Sequence, residues 1–159
     1  MKFNRVAKFR SLALFASGIL ALVICPRETF AADKDDIVAT INQFADNLEP
    51  KTIDKALAAC DSPASILDEF PPHVWNSCAD WAKAFGEYND KNGITEADAK
   101  IGTPWSVDVD QDRAYAVCPA TYTYKQHGKP MKESHAVLTL AFRKTDAGWR
   151  ITAWSWSKH

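Results

Sequence analysis

The chain predicts an α+β domain: three N-terminal helices packed on one face of a strongly curved antiparallel sheet. Two observations carry this. Apolar residues recur at a spacing near 3.6 up to about residue 91, and from about residue 104 the period becomes 2. The later apolar runs are separated by "DQD", "QHGKP" and "TDAG", which are turn signals between neighbouring antiparallel strands. Helices first and a meander second is the order of an α+β fold. At 159 residues there is room for a single domain.

The elements follow in order. Residues 1–32 are set aside as a signal peptide. Lys2, Arg5, Lys8 and Arg10 form a basic segment, and an uncharged, mostly apolar run from Ser11 to Ile24 follows, short for a bilayer span. Cleavage after Ala31 puts Thr29 and Ala31 at the small-residue positions. An uncleaved N-terminal anchor is the alternative. The single domain then covers residues 33–159. Asp33, Asp35 and Asp36 place negative charge at the start of a helix, where the macrodipole favours it. Ile37, Ile41, Phe44 and Leu48 form its apolar stripe, and Glu49-Pro50 stops it. A second helix is expected over about Thr52 to Cys60, ended by Ser62-Pro63, and a short strand over Ala64 to Leu67. The loop "DEFPPHVW" follows. Ser77-Cys78-Ala79-Asp80 resembles a capping box with Asp in place of Glu, and opens a helix with Trp81, Phe85 and Tyr88 on one side. Four strands complete the chain: "PWSVDVD", "RAYAVCPATYTYK", "KESHAVLTLAFRK" and "WRITAWSWSK". Pro119 inside the second of these predicts a bulge or an edge position.

Composition narrows the function. Residues 33–159 hold 14 Lys+Arg against 19 Asp+Glu, a net charge of about −5. A mildly acidic surface without a basic block argues against nucleic acid as partner. Once the leader is removed, no membrane association is expected. The expected location is exported, periplasmic or secreted, away from cytoplasmic nucleotide cofactors, and no cofactor is predicted. Cys60, Cys78 and Cys118 remain in the domain. Under oxidising conditions one disulfide and one thiol result, with Cys60–Cys78 the preferred pair; three buried thiols are the alternative. With no CxxC and scattered histidines, no metal site is expected.

The "ASILDEF" strand-loop, the capped "SCADWAKAF" helix and the ending "AGWRITAWSWSK" are similar to the nuclear transport factor 2-like superfamily, and to its small SnoaL-like members in particular. The resemblance runs from about Asp33 to Lys158. It implies a conical α+β barrel with a pocket at the wide end and a homodimer formed through the outer sheet face. That fold hosts enzymes and non-catalytic proteins alike, so function must be argued from the site.

In the ketosteroid isomerases of this fold the base is an aspartate at the end of the first short strand. The resemblance puts Asp68 there. A carboxylate facing an apolar cavity loses hydration, its pKa rises, and it becomes a better base near neutral pH. The alternative for Asp68 is an acid that ties the backbone before the Pro-Pro corner. The same comparison puts Phe44 at the family's oxyanion-donor tyrosine, and Leu140 or Ala141 near its second donor. Both donors are therefore missing, which disfavours steroid isomerisation by that constellation. His73 is a second candidate acid/base, with a loop histidine as its alternative. Phe44, Phe70, Trp75, Tyr122 and Trp154 are expected to line the pocket. Alternation places Glu133 and His135 on the face opposite Ala136, Leu138, Leu140 and Phe142. It also separates Ile151 and Ala153 from Trp154 and Trp156. The reading that results is small-molecule binding in an apolar pocket. A general-base enzyme using Asp68 and a non-catalytic dimerisation module are the alternatives.

Overall fold

The computed structural model describes residues 26–49 and 51–158, with side chains from residue 31; the basic segment and apolar run of the expected leader lie outside them. Helix α1 (Pro26–Ala45) buries Ile37, Ile41 and Phe44 on the stripe that the spacing predicts. Burying each contributes at most about 1.5–3 kcal/mol. The helix starts seven residues before the expected Asp33, so that aspartate caps no helix end. It is buried instead, and its carboxylate accepts hydrogen bonds from Lys144 Nζ and, at 3.1 Å, from Trp149 Nε1.

Helix α2 (Ile53–Leu57) is shorter than expected, because the chain is already extended at Cys60. Strand β1 (Cys60–Leu67) pairs antiparallel with the two-residue β2 (Val74–Trp75) and parallel with the last strand. Helix α3 (Cys78–Lys91) is capped as the sequence predicts: Ser77 Oγ accepts from the Asp80 amide at 3.0 Å. Just past its end stands Gly93, whose φ of 61° suits glycine, and where the His127 ring fills the space a Cβ would need. A disulfide joins Cys60 to Cys78 and so ties β1 to the first residue of α3, while Cys118 is a buried thiol.

The sheet contains β3 (Ile94–Ile101), β4 (Ser106–Asp110), β5 (Arg113–Gln126), β6 (Lys129–Thr145) and β7 (Gly148–Ser157). Its order is β2-β1-β7-β6-β5-β3, with β4 also on β5. The sequence reading omits β3: "ITEADAKI" alternates, but Ala, Asp, Glu and Lys have little strand preference. Pro119 sits where the partner of β5 changes from β4 to β3, so its missing N–H leaves no gap in a ladder.

Two bulges set the inner face. Between Ala120↔Ala136 and Tyr122↔Glu133, β6 has one residue more than β5, and His135 there adopts φ 67°. Glu133 is thereby turned to the same face as Ala136 and Leu138, against the simple alternation. In β7 the extra residue is Thr152, which brings Ile151 and Trp154 to the inner face together. The core lies between this concave face and the helices: Leu138, Leu140, Phe142, Trp149, Ile151 and Trp154 meet Ile37, Ile41, Phe44 and Trp81. No helix among the described residues is long and apolar enough to cross a membrane.

Candidate functional site

A cavity of about 860 Å³ opens between the helices and the concave sheet. Helix α1 contributes Phe44 and Leu48, and α3 contributes Trp81, Phe85, Tyr88 and Asn89. The sheet supplies Ala97, Ala99, Tyr122, Tyr124, Glu133, Leu138, Trp154 and Trp156. Asp68, Glu69 and Phe70 enter from the end of β1, and Lys158 follows β7. The rings are packed on one another. Phe44 lies 5.8 Å from Trp154 between centroids, Phe85 lies 6.3 Å from Tyr122, and Tyr122 lies 5.0 Å from Tyr124.

Asp68 lines the cavity and also ties its own loop. Its Oδ1 accepts from the Glu69 amide at 2.7 Å, which ties the loop. Its Oδ2 accepts from Trp81 Nε1 at 2.8 Å, so the carboxylate is also fixed to a ring in the cavity wall. Loss of hydration raises its pKa above the usual carboxylate value; the two hydrogen bonds oppose the rise and the Glu133 charge adds to it. Glu69 lies beside it. Burial and the Glu133 carboxylate raise its pKa, while Lys158 opposes the rise. Lys158 Nζ is 2.7 Å from Glu69 and 3.2 Å from Glu133, and the hydrogen bond to Glu69 raises its pKa further. Both contacts favour the charged form of the amine.

Four buried side-chain atoms among the described residues lack a hydrogen-bond partner: Asn89 Oδ1, Tyr122 Oη, Glu133 Oε2 and Trp154 Nε1. All four residues line this cavity. Burial holds the Tyr122 hydroxyl protonated, and the nearby Glu133 and Asp68 charges add to the effect. Asn89 is close enough to oppose that shift, but the two groups do not meet in hydrogen-bond geometry. A buried polar group without a partner costs on the order of 1–3 kcal/mol. All four belong to residues around one void, so the packing of this cavity's wall leaves polar groups unsatisfied.

Of the residues expected in the pocket, Phe44, Phe70, Tyr122 and Trp154 line it, and Asp68 does too. Trp75 does not. It is buried behind Phe70, with ring centroids 4.6 Å apart, because Phe70 folds inward between it and the void. His73 does not reach the cavity either. It adopts φ 73° just after the Pro-Pro turn, where its carbonyl accepts from the Asp68 amide at 3.1 Å; it is exposed, with Nδ1 3.2 Å from the Asp68 carbonyl oxygen. Phe44 and Leu140 are buried and apolar, in line with the two missing donors. The sequence reading does not identify Glu133, Lys158 or Asn89. The register shift at His135 hides Glu133. The others were legible: Asn89 follows Phe85 by one helical turn, and Lys158 shares the Trp154 and Trp156 face.

A curled sheet around three helices, with a cavity walled by both, defines the nuclear transport factor 2-like cone. Residues 37–158 match the model of the SnoaL-like domain, and the chain belongs to that family. Solved structures agree on the fold. An NTF2-like protein with a cystatin-like fold from Novosphingobium aromaticivorans aligns with TM-score 0.69 at 16% identity, over 89% of this chain and 92% of its own. A candidate dehydratase of the NTF2-like family from Streptomyces avermitilis aligns with TM-score 0.65 at 17% identity, over 81% and 97%. A candidate ketosteroid isomerase from Shewanella frigidimarina aligns with TM-score 0.60 at 19% identity, over 79% and 97%. At these identities the likeness is one of fold. No curated protein matches the chain.

Proposed function

We propose that this protein is an exported small-molecule-binding domain whose ligand occupies the cone between α1, α3 and the sheet. The observation that carries the reading is the set of four unpartnered buried polar atoms, all on residues of one aromatic-walled cavity. Such a site suits a ligand with an apolar body and a few polar groups. Export is supported by the basic and apolar leader pattern and by the Cys60–Cys78 bridge, which belongs to oxidising compartments. The test is native mass spectrometry of the protein recovered from an export host, followed by thermal-shift screening of amphipathic small molecules. A bound species released on denaturation, or a ligand-dependent rise in melting temperature, supports the reading. Neither result across a broad panel removes it.

A general-base enzyme is the second reading, favoured by one observation: the desolvated Asp68 carboxylate lines the same void as the protonated Tyr122 hydroxyl. Tyr122 and Trp154 would then stabilise developing negative charge, in place of the donors absent at Phe44 and Leu140. The Streptomyces and Shewanella neighbours are described as a candidate dehydratase and a candidate isomerase, which agrees with this chemistry. Turnover that survives Asp68→Asn unchanged would rule it out.

A further inference from the structure

We infer that the cavity takes an organic ammonium ion: a primary or secondary amine on an aromatic-sized apolar body. This rests on the small-molecule reading above and gives that ligand its chemical class. Three carboxylates meet at one end of the void, Asp68, Glu69 and Glu133, with Lys158 between two of them. Among the described residues no other Lys or Arg lies within salt-bridge distance of any of the three. The Asp68 hydrogen bonds come from an indole and an amide, neither of them charged. This end of the cavity therefore holds more negative than positive charge.

Glu133 gives that excess a direction. One oxygen faces Lys158 at 3.2 Å; the other, Oε2, is buried and without a partner. An ionised carboxylate oxygen only accepts, so its missing partner is a donor. A neutral apolar ligand would leave it unpaired, and an anionic ligand would meet three like charges and a lysine already engaged by two of them. An ammonium group supplies both donor and charge. The aromatic rings favour the same class: Tyr122, the cross-strand partner of Glu133, packs 5.0 Å from Tyr124 and 6.3 Å from Trp156, and all of them line the same cavity. Trp154, 4% exposed, carries an Nε1–H that also lacks a partner. Together with the Tyr122 hydroxyl it would hold a hydroxyl or carbonyl oxygen on the ligand body.

A matched series tests this by titration calorimetry: 2-(1-naphthyl)ethylamine, 2-(1-naphthyl)ethanol and 1-naphthylacetate, which share a ring and differ in charge. The amine is expected to bind at least about tenfold tighter than the alcohol, with the acetate weakest. In Glu133→Gln the amine should lose about tenfold, while the alcohol changes by less than about threefold. Equal or tighter binding of the alcohol or the acetate overturns the ammonium assignment and leaves small-molecule binding standing. No binding by any of the three also overturns the assignment, and the ligand panel of the preceding section then judges the pocket separately. The wild-type series decides the matter even if Glu133→Gln fails to fold.

Discussion

Tyr122 and Glu133 stand opposite one another in the β5–β6 ladder, and both line the cavity. They do so because β6 carries one extra residue between Glu133 and Ala136, with His135 in the left-handed region. Without that residue the alternation of β6 would turn Glu133 outward. A local change of register thus converts an outer-face acid into a cavity acid, next to a hydroxyl that has no partner.

The Asp68 carboxylate has its pKa raised by burial, and this fixes the sign of its effect on stability. A folded state that holds its proton more tightly than the unfolded chain loses stability as pH rises from the ordinary value of 3.8 through the folded value. Asp68→Asn removes that loss, although its single oxygen can accept from only one of the Glu69 amide and the Trp81 indole. The melting temperature of the variant relative to wild type is therefore expected to be higher at pH 7 than at pH 4. Differential scanning calorimetry at the two pH values checks this.

Asp33 behaves in the opposite sense. The hydrogen bond from Lys144 lowers its pKa, with burial opposing. Its contribution is therefore present above about pH 4 and lost as pH falls through the folded value. Asp33→Ala also leaves the indole N–H of Trp149 unpartnered at 2% exposure. A loss of about 2 kcal/mol at pH 7 is expected in urea unfolding, smaller in Asp33→Asn.

The Cys60–Cys78 bridge closes a sequence separation of 18 residues. Loop-closure entropy gives such a link roughly 3 kcal/mol. The double variant Cys60→Ser/Cys78→Ser should lower the urea midpoint accordingly. Cys118 is buried and its thiol is pushed up to about 11, so it should resist alkylation in the native protein and react fully on denaturation.

The outer sheet face carries Leu67, Val74, Tyr115, Val117, Val137 and Thr139, an uncharged and largely apolar group, with Leu67, Val74 and Tyr115 exposed. A homodimer through this face is expected. Light scattering coupled to gel filtration should give twice the monomer mass for the native protein, and the monomer mass for Val117→Asp. A monomeric native protein at micromolar concentration would refute the interface.

Much of the architecture was legible in the residues, since Ile37, Ile41 and Phe44 keep the helical period and Ala136 to Phe142 keep the strand period. The capped α3 was legible for the same reason: Ser77 and Asp80 act within one turn. What was not legible depends on distant or irregular backbone. Strand β3 exists because β5 offers it an edge, although "ITEADAKI" has little preference of its own. The start of β1 at Cys60 comes from its parallel pairing with Ile151, far along the chain in the last strand. In the site, Asp68 was visible at the end of a strand, whereas Glu133 was hidden by a one-residue bulge. Trp75 and His73 were misplaced because the turn that follows Asp68 folds Phe70 inward and His73 outward.

The central claim is that the cavity between α1, α3 and the sheet binds a small molecule through its unpartnered polar groups. The most direct measurement is a ligand titration followed through the indole N–H resonances of the six tryptophans. With a ligand from the panel that carries a hydroxyl or carbonyl oxygen, the Trp154 indole signal should move in a saturable way and acquire protection from exchange. The Trp149 signal, already bonded to Asp33, should stay in place. A ligand that binds but shifts Trp149 or the exposed Trp105 while leaving Trp154 unmoved would contradict the account.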